Sequence, residues 1–98
     1  DVAGNVSLWP GEFATSLPAW LAAHPGPAGF VHVDCDLHAS TRTVLDLLDD
    51  RIVPGTVLVF DELCDWTDSG VYPAWRDGEW RALEQWLRRT GRRFRVLG

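Results

Sequence analysis

Apolar and polar positions along the chain follow two rhythms. NVSLW (Asn5 to Trp9) alternates them with the period of a half-buried strand, and Pro10 with Gly11 stops it. FVHV (Phe30 to Val33) and TVLVF (Thr56 to Phe60) are short, β-branched and apolar on both faces, as parallel strands covered on both sides should be. RFRVL (Arg93 to Leu97) predicts a last strand.

The second rhythm is helical. Thr15 or Ser16 is placed to cap a helix with Pro18 in its first turn and with Leu17, Trp20 and Leu21 on one face. Ser40 or Thr41 caps the next, whose apolar positions are Val44, Leu45, Leu47 and Leu48. Asp77 caps a third, with Trp80, Leu83, Trp86 and Leu87 on one face, Glu84 and Arg88 as an i,i+4 pair, and Gly91 as its stop. HPGPAG (His24 to Gly29) and DDRIVPG (Asp49 to Gly55) break the chain between elements. The order is β-α-β-α-β-α-β, which predicts a single α/β domain over residues 1–98 with a mostly parallel sheet flanked by helices.

Two apolar strands end in acids. FVHV runs into Asp34 and Asp36, and TVLVF into Asp61 and Glu62. A carboxylate is costly to bury unless something pairs with it. In an open α/β sheet, ligands bind beyond the carboxyl ends of the strands, where all four acids fall. Neighbouring strands would bring them together around a shared cation, and all-oxygen ligands suit Mg²⁺, Mn²⁺ or Ca²⁺. No His/Cys set has zinc spacing. The plainer reading is that an acid at a strand end caps the next helix or pairs with an arginine, and Asp36 is close enough to Ser40 and Thr41 for that. His32 lies inside its strand and reads as a core or interface histidine, while His38 is placed to face the site.

Composition narrows the classes. The 98 residues suffice for one small domain, and a net charge of −5 argues against a nucleic-acid surface. The arginines of RRTGRRFR (Arg88, Arg89, Arg92, Arg93, Arg95) read as a helix end favoured by the macrodipole, with a local basic patch as the alternative. No apolar run approaches the roughly 20 residues of a membrane helix, and no signal-peptide pattern opens the chain. Two cysteines, Cys35 and Cys64, are too few for a disulfide framework. Free thiols fit a cytoplasmic protein, a single bridge between the two being the alternative. The stretch from Leu63 to Arg76, with Trp66, Tyr72, Pro73 and Trp75, is long enough to read as a functional loop.

Three segments carry a resemblance. VDCDLHAST resembles the D-x-D-L-Y-x-S-T segment of the macrocin O-methyltransferase family, a class I S-adenosylmethionine-dependent group. IVPGTVLVFDE resembles that family's next strand with its paired acids. VSLWPGEFATSLP resembles the segment before, a strand running into a glycine and then a helix with a TLP-like triplet. The catechol O-methyltransferase group shares this layout more distantly. The resemblance covers nearly the whole chain and rests on three motifs in order.

The resemblance implies a Rossmann-like fold and a metal-assisted O-methyltransferase acting on a hydroxyl of a small natural product or sugar. It implies Asp34 as a metal ligand and general base, with Asp61 and Glu62 as further ligands of Mg²⁺ or Mn²⁺. It implies Glu12, Phe13 and Ala14 beside the adenine of S-adenosylmethionine, and Cys35 and Asp36 near the same donor. The Leu63 to Arg76 stretch would cover the acceptor. His38 stands where the family has tyrosine, and Glu62 where aspartate is common. No G-x-G-x-x-G element occurs, so the chain resembles the C-terminal half of such a domain, with the glycine-rich donor-binding half absent. A half-domain would expose sheet edges, which are templates for homo-oligomers. The rivals are a non-catalytic half-domain acting as an interaction module, a D-x-D phosphatase of the haloacid dehalogenase type, and a D-x-D glycosyltransferase. The phosphatase pattern is weakened by Leu37 and His38 in place of G-T and by the absence of any lysine.

Overall fold

A computed structural model describes residues 4–61 and 75–97. The elements are α1 (Phe13–Ala23), β1 (Phe30–Val33), α2 (His38–Leu48), β2 (Val57–Phe60) and α3 (Glu79–Thr90), with 3₁₀ turns at Asp49–Arg51 and Trp75–Asp77. The architecture is α/β, with three helices and a two-stranded parallel sheet. β1 and β2 run in register from Phe30 opposite Val57 to Val33 opposite Phe60. The parallel pairing puts Asp34 and Asp61 at the same end, as the sequence predicts.

The core lies where α2 and α3 meet the strands. Val44, Leu45, Leu48 and Ile52 are buried with Trp86, and Val31, Leu58 and Phe60 pack against them. Val33 is also buried, but Phe30, His32 and Val59 on the opposite face are exposed, so among the described residues the sheet is covered on one face and not on both as the sequence predicts. Trp86 is buried as far as its indole N–H, which donates to Asp49 Oδ1 at 3.0 Å. Arg92 stacks over the same indole and donates to the carbonyls of Asp49 and Ile52 at 2.6 and 2.7 Å. It thereby satisfies carbonyls that the end of α2 and its 3₁₀ turn leave over. Arg51 does the same for α1, donating to the carbonyls of Leu21, His24 and Gly26.

Helix boundaries depart from the expected caps. α1 begins at Phe13, because the Glu12 carbonyl accepts from the N–H groups of Thr15 and Ser16. Thr15 and Ser16 are therefore inside the helix, and Pro18 lies beyond its first turn, where it removes one backbone donor. α2 begins at His38, so Ser40 and Thr41 are interior. Thr41 is fully buried and donates its hydroxyl to the Leu37 carbonyl one turn back. α3 has Gly78, not Asp77, as its N-cap. Gly91 ends α3 as expected, at φ 67° with its N–H donating to the Leu87 carbonyl.

The first and last predicted strands do not form. Asn5–Trp9 and Arg93–Leu97 have strand-like alternation but are irregular and exposed. Alternation makes a segment compatible with a sheet, but only a ladder partner stabilises it there. The expected four-strand order is thus reduced to two paired strands among the described residues. No helix of the described residues is long and apolar enough to cross a membrane.

Candidate metal centre

The site forms where β1 ends and turns into α2. Asp36 adopts a positive φ of 61°, a conformation that aspartate tolerates better than most residues. The Leu37 N–H donates back to the Cys35 carbonyl at 2.6 Å, closing a tight three-residue turn. This turn leaves the Cys35 and Asp36 N–H groups pointing the same way. Both donate, at 2.9 Å each, to one oxygen of Glu79.

Glu79 is the first residue of α3 and is fully buried. A carboxylate in a first helical turn complements the macrodipole, and charge-assisted bonds from backbone N–H groups are among the stronger ones. It clamps the end of β1 to the start of α3. The same contact draws three acids together, with ligand oxygens of Asp34, Asp36 and Glu79 all within 4.8 Å of one another. Neither Asp36 nor any other side chain caps α2.

Asp61 stands beside this group at the end of β2, outside the 4.8 Å set. Its charge is the largest influence on Asp34, whose carboxyl is pushed above the ordinary value of 3.8. Some loss of hydration, Asp36 and Glu79 add to the rise, and His32 opposes it. Of the two readings its position gave, core or interface, His32 is not a core residue. Its side chain is half exposed, and its Nε2 lies 3.8 Å from Asp61 Oδ1 across the strand pair. Cys35 is a half-buried free thiol, raised above its ordinary pKa by burial first and then by Glu79, which makes it a poor nucleophile at neutral pH. His38 turns to α3, 2.7 Å from Gln85 Oε1.

The structure therefore brings together Asp34, Cys35 and Asp36, with Asp61 adjacent. Glu62 and the residues from Leu63 to Ala74, Cys64 among them, lie outside the described residues. Phe13 lines a separate trough of about 810 Å³ between α1 and the outer edge of β1. Glu12, Ala14, Cys35 and Asp36 are not among its lining residues. The residue that the sequence reading missed is Glu79. It looks like an ordinary exposed first-turn acid, and its only local signal is that placement at the start of an amphipathic helix.

An all-carboxylate set of this spacing offers hard oxygen ligands, which suit Mg²⁺, Mn²⁺ or Ca²⁺. No protein-family model, curated protein or solved structure matches this chain.

Proposed function

We propose that the acids at the carboxyl ends of β1 and β2 hold a divalent cation, Mg²⁺ or Mn²⁺, and that the chain is the acid-bearing part of an S-adenosylmethionine-dependent O-methyltransferase. The acceptor class is a hydroxyl of a small natural product or sugar. One observation carries the reading: Asp34, Asp36 and Glu79 converge to within 4.8 Å, with Asp61 beside them, at the shared end of a parallel strand pair.

The donor set fits the cation. Asp34 and Asp36 would be the exposed ligands and Glu79 the buried one, with Asp61 completing the shell. A bound divalent cation supplies Lewis acidity, lowering the pKa of an acceptor hydroxyl. Asp34, at the end of β1 among these acids, is placed to accept the released proton. The methyl donor fits less well. Of the residues expected to hold it, Cys35 and Asp36 stand at the acids while Phe13 lines the separate trough, so they do not gather into one donor site.

A second reading is a half-domain that binds other proteins and no donor. It is favoured by the open outer edge of β1, where Phe30 is 64% exposed.

Calorimetric titration of the chain with Mg²⁺ and Mn²⁺, then with S-adenosylmethionine, separates the readings. The methyltransferase reading expects cation binding that Asp34→Asn abolishes, and donor binding that the cation strengthens. Cation binding without donor binding would leave a metal site and remove the methyltransferase. Binding of neither would sink both parts and favour the interaction module.

A further inference from the structure

β1 presents an unused hydrogen-bonding edge. In a parallel pair, alternate residues bond to the partner strand. The Gly29 and Val33 carbonyls accept from Val57 and Asp61 of the β2 side. The peptide groups of Phe30 and His32 therefore point away from β2, and among the described residues no third strand receives them. The sheet has only these two strands among the described residues, so β2 has an outer edge as well, but the edge of β1 is the one that runs into Asp34 and Asp36.

The chain also carries a strand-patterned segment without a ladder. Arg93–Leu97 is exposed, with Phe94, Val96 and Leu97 each about 70% accessible. Its charges are equally unused. Arg42, Arg51, Arg88, Arg89 and Arg92 all have acidic or carbonyl partners. The side chains of Arg93 and Arg95 have none among the described residues. Asp34 and Asp36, at the end of β1, likewise have no arginine partner among them.

We propose that two copies of this chain associate by adding Arg93–Leu97 of each copy, antiparallel, to the free edge of β1 in the other. Charge selects the direction. Antiparallel addition sets Arg93 beside Val33 and Asp34 and carries Leu97 toward Phe30 and the trough. Parallel addition would place Leu97 against the acids. The alternation also matches. Phe94 and Val96 continue the apolar face of Val31 and Val33, while Arg93 and Arg95 share the face of His32 and Asp61. The exchange is reciprocal, so it closes as a two-fold dimer rather than a filament. Each copy then contributes arginines to the other's acidic site. Nothing in this association depends on methyl transfer or on a bound cation.

Sedimentation velocity on the full chain, in chelator and at low salt, tests it. The expected result is a concentration-dependent dimer that dissociates as salt is raised. Arg93→Glu with Arg95→Glu should weaken it at least about tenfold, and both residues are exposed and unpaired, so the fold should persist by circular dichroism. Mixing that variant with Asp34→Arg/Asp36→Arg should restore a mixed dimer. In the wild type, the Phe30 and His32 amides should gain hydrogen-exchange protection with concentration. A monomer at every concentration would overturn the proposal. So would a dimer indifferent to the charge reversals, because its interface would be another surface.

Discussion

The pair α2–α3 and the lone α1 are of similar length but have opposite fates. α2 and α3 bury Thr41, Val44, Leu45, Leu48, Glu79, Ala82 and Trp86, whereas α1 buries no residue. Yet α1, FATSLPAWLAA, is the more apolar sequence, and α3, EWRALEQWLRRT, is rich in charge. Apolar content by itself does not bury a helix. α3 concentrates its apolar residues in one stripe that meets α2, and its charges go to solvent or to partners such as Asp46 for Arg89. α1 is apolar on most of its circumference, which suits a helix covered on several sides. Among the described residues it touches the core only through Leu17 and Leu21.

The sharpest way to break this contrast is to truncate one residue on each side. Trp86→Ala removes a buried indole and its bond to Asp49, and should cost about 3–5 kcal/mol in chemical denaturation. Leu17→Ala on α1 should cost less than about 1 kcal/mol, since the half-exposed site has less to lose. Equal losses would mean that α1 is as integral as α3.

Glu79 ties the two sides of the site together, and Glu79→Gln should cost about 1–3 kcal/mol by weakening the clamp on Cys35 and Asp36. Hydrogen exchange at those two amides should rise in the variant. If the amides stay protected, Glu79 is not what holds the β1 end.

A smaller effect is expected at Gly91. Its φ of 67° is strained for a residue with a Cβ, so Gly91→Ala should cost about 1 kcal/mol although nothing lies within 4 Å of the added atom. A neutral substitution would show that the end of α3 frays without consequence.

The least costly perturbation is electrostatic. Because Asp34 has a raised pKa in the folded chain, the native state holds that proton more tightly than the unfolded chain does. The stabilising contribution is full below the ordinary value of 3.8 and is lost as pH rises through the folded pKa. An NMR titration of the Asp34 carboxyl should show the rise, and Asp61→Asn should lower it more than Asp36→Asn, since Asp61 is the largest cause. A larger drop from Asp36→Asn would contradict the strand-end geometry.

How much of the site was legible follows from distance along the chain. Asp34, Asp36 and Asp61 stand out because each follows an apolar run, a local pattern. Glu79 does not, because its burial depends on N–H groups 43 and 44 residues away. His32 shows the reverse case. A histidine between two valines reads as core or interface, and strand alternation removes the core reading by turning it to the open face that Asp61 shares.

The sequence by itself determined the two parallel strands, the three helices, the stop at Gly91 and the acids at the strand ends. Each depends on side-chain periodicity, backbone preference or chain order, and these act over a few residues. Tertiary structure alone decided which strand-patterned segments pair and which acid completes the cluster. Asn5–Trp9 and Arg93–Leu97 have the right alternation and no ladder, while Glu79 has an unremarkable pattern and the most buried carboxylate described. A strand needs a partner to satisfy its backbone, and a buried carboxylate needs donors. In this chain those partners are set by how α3 lies against the end of β1.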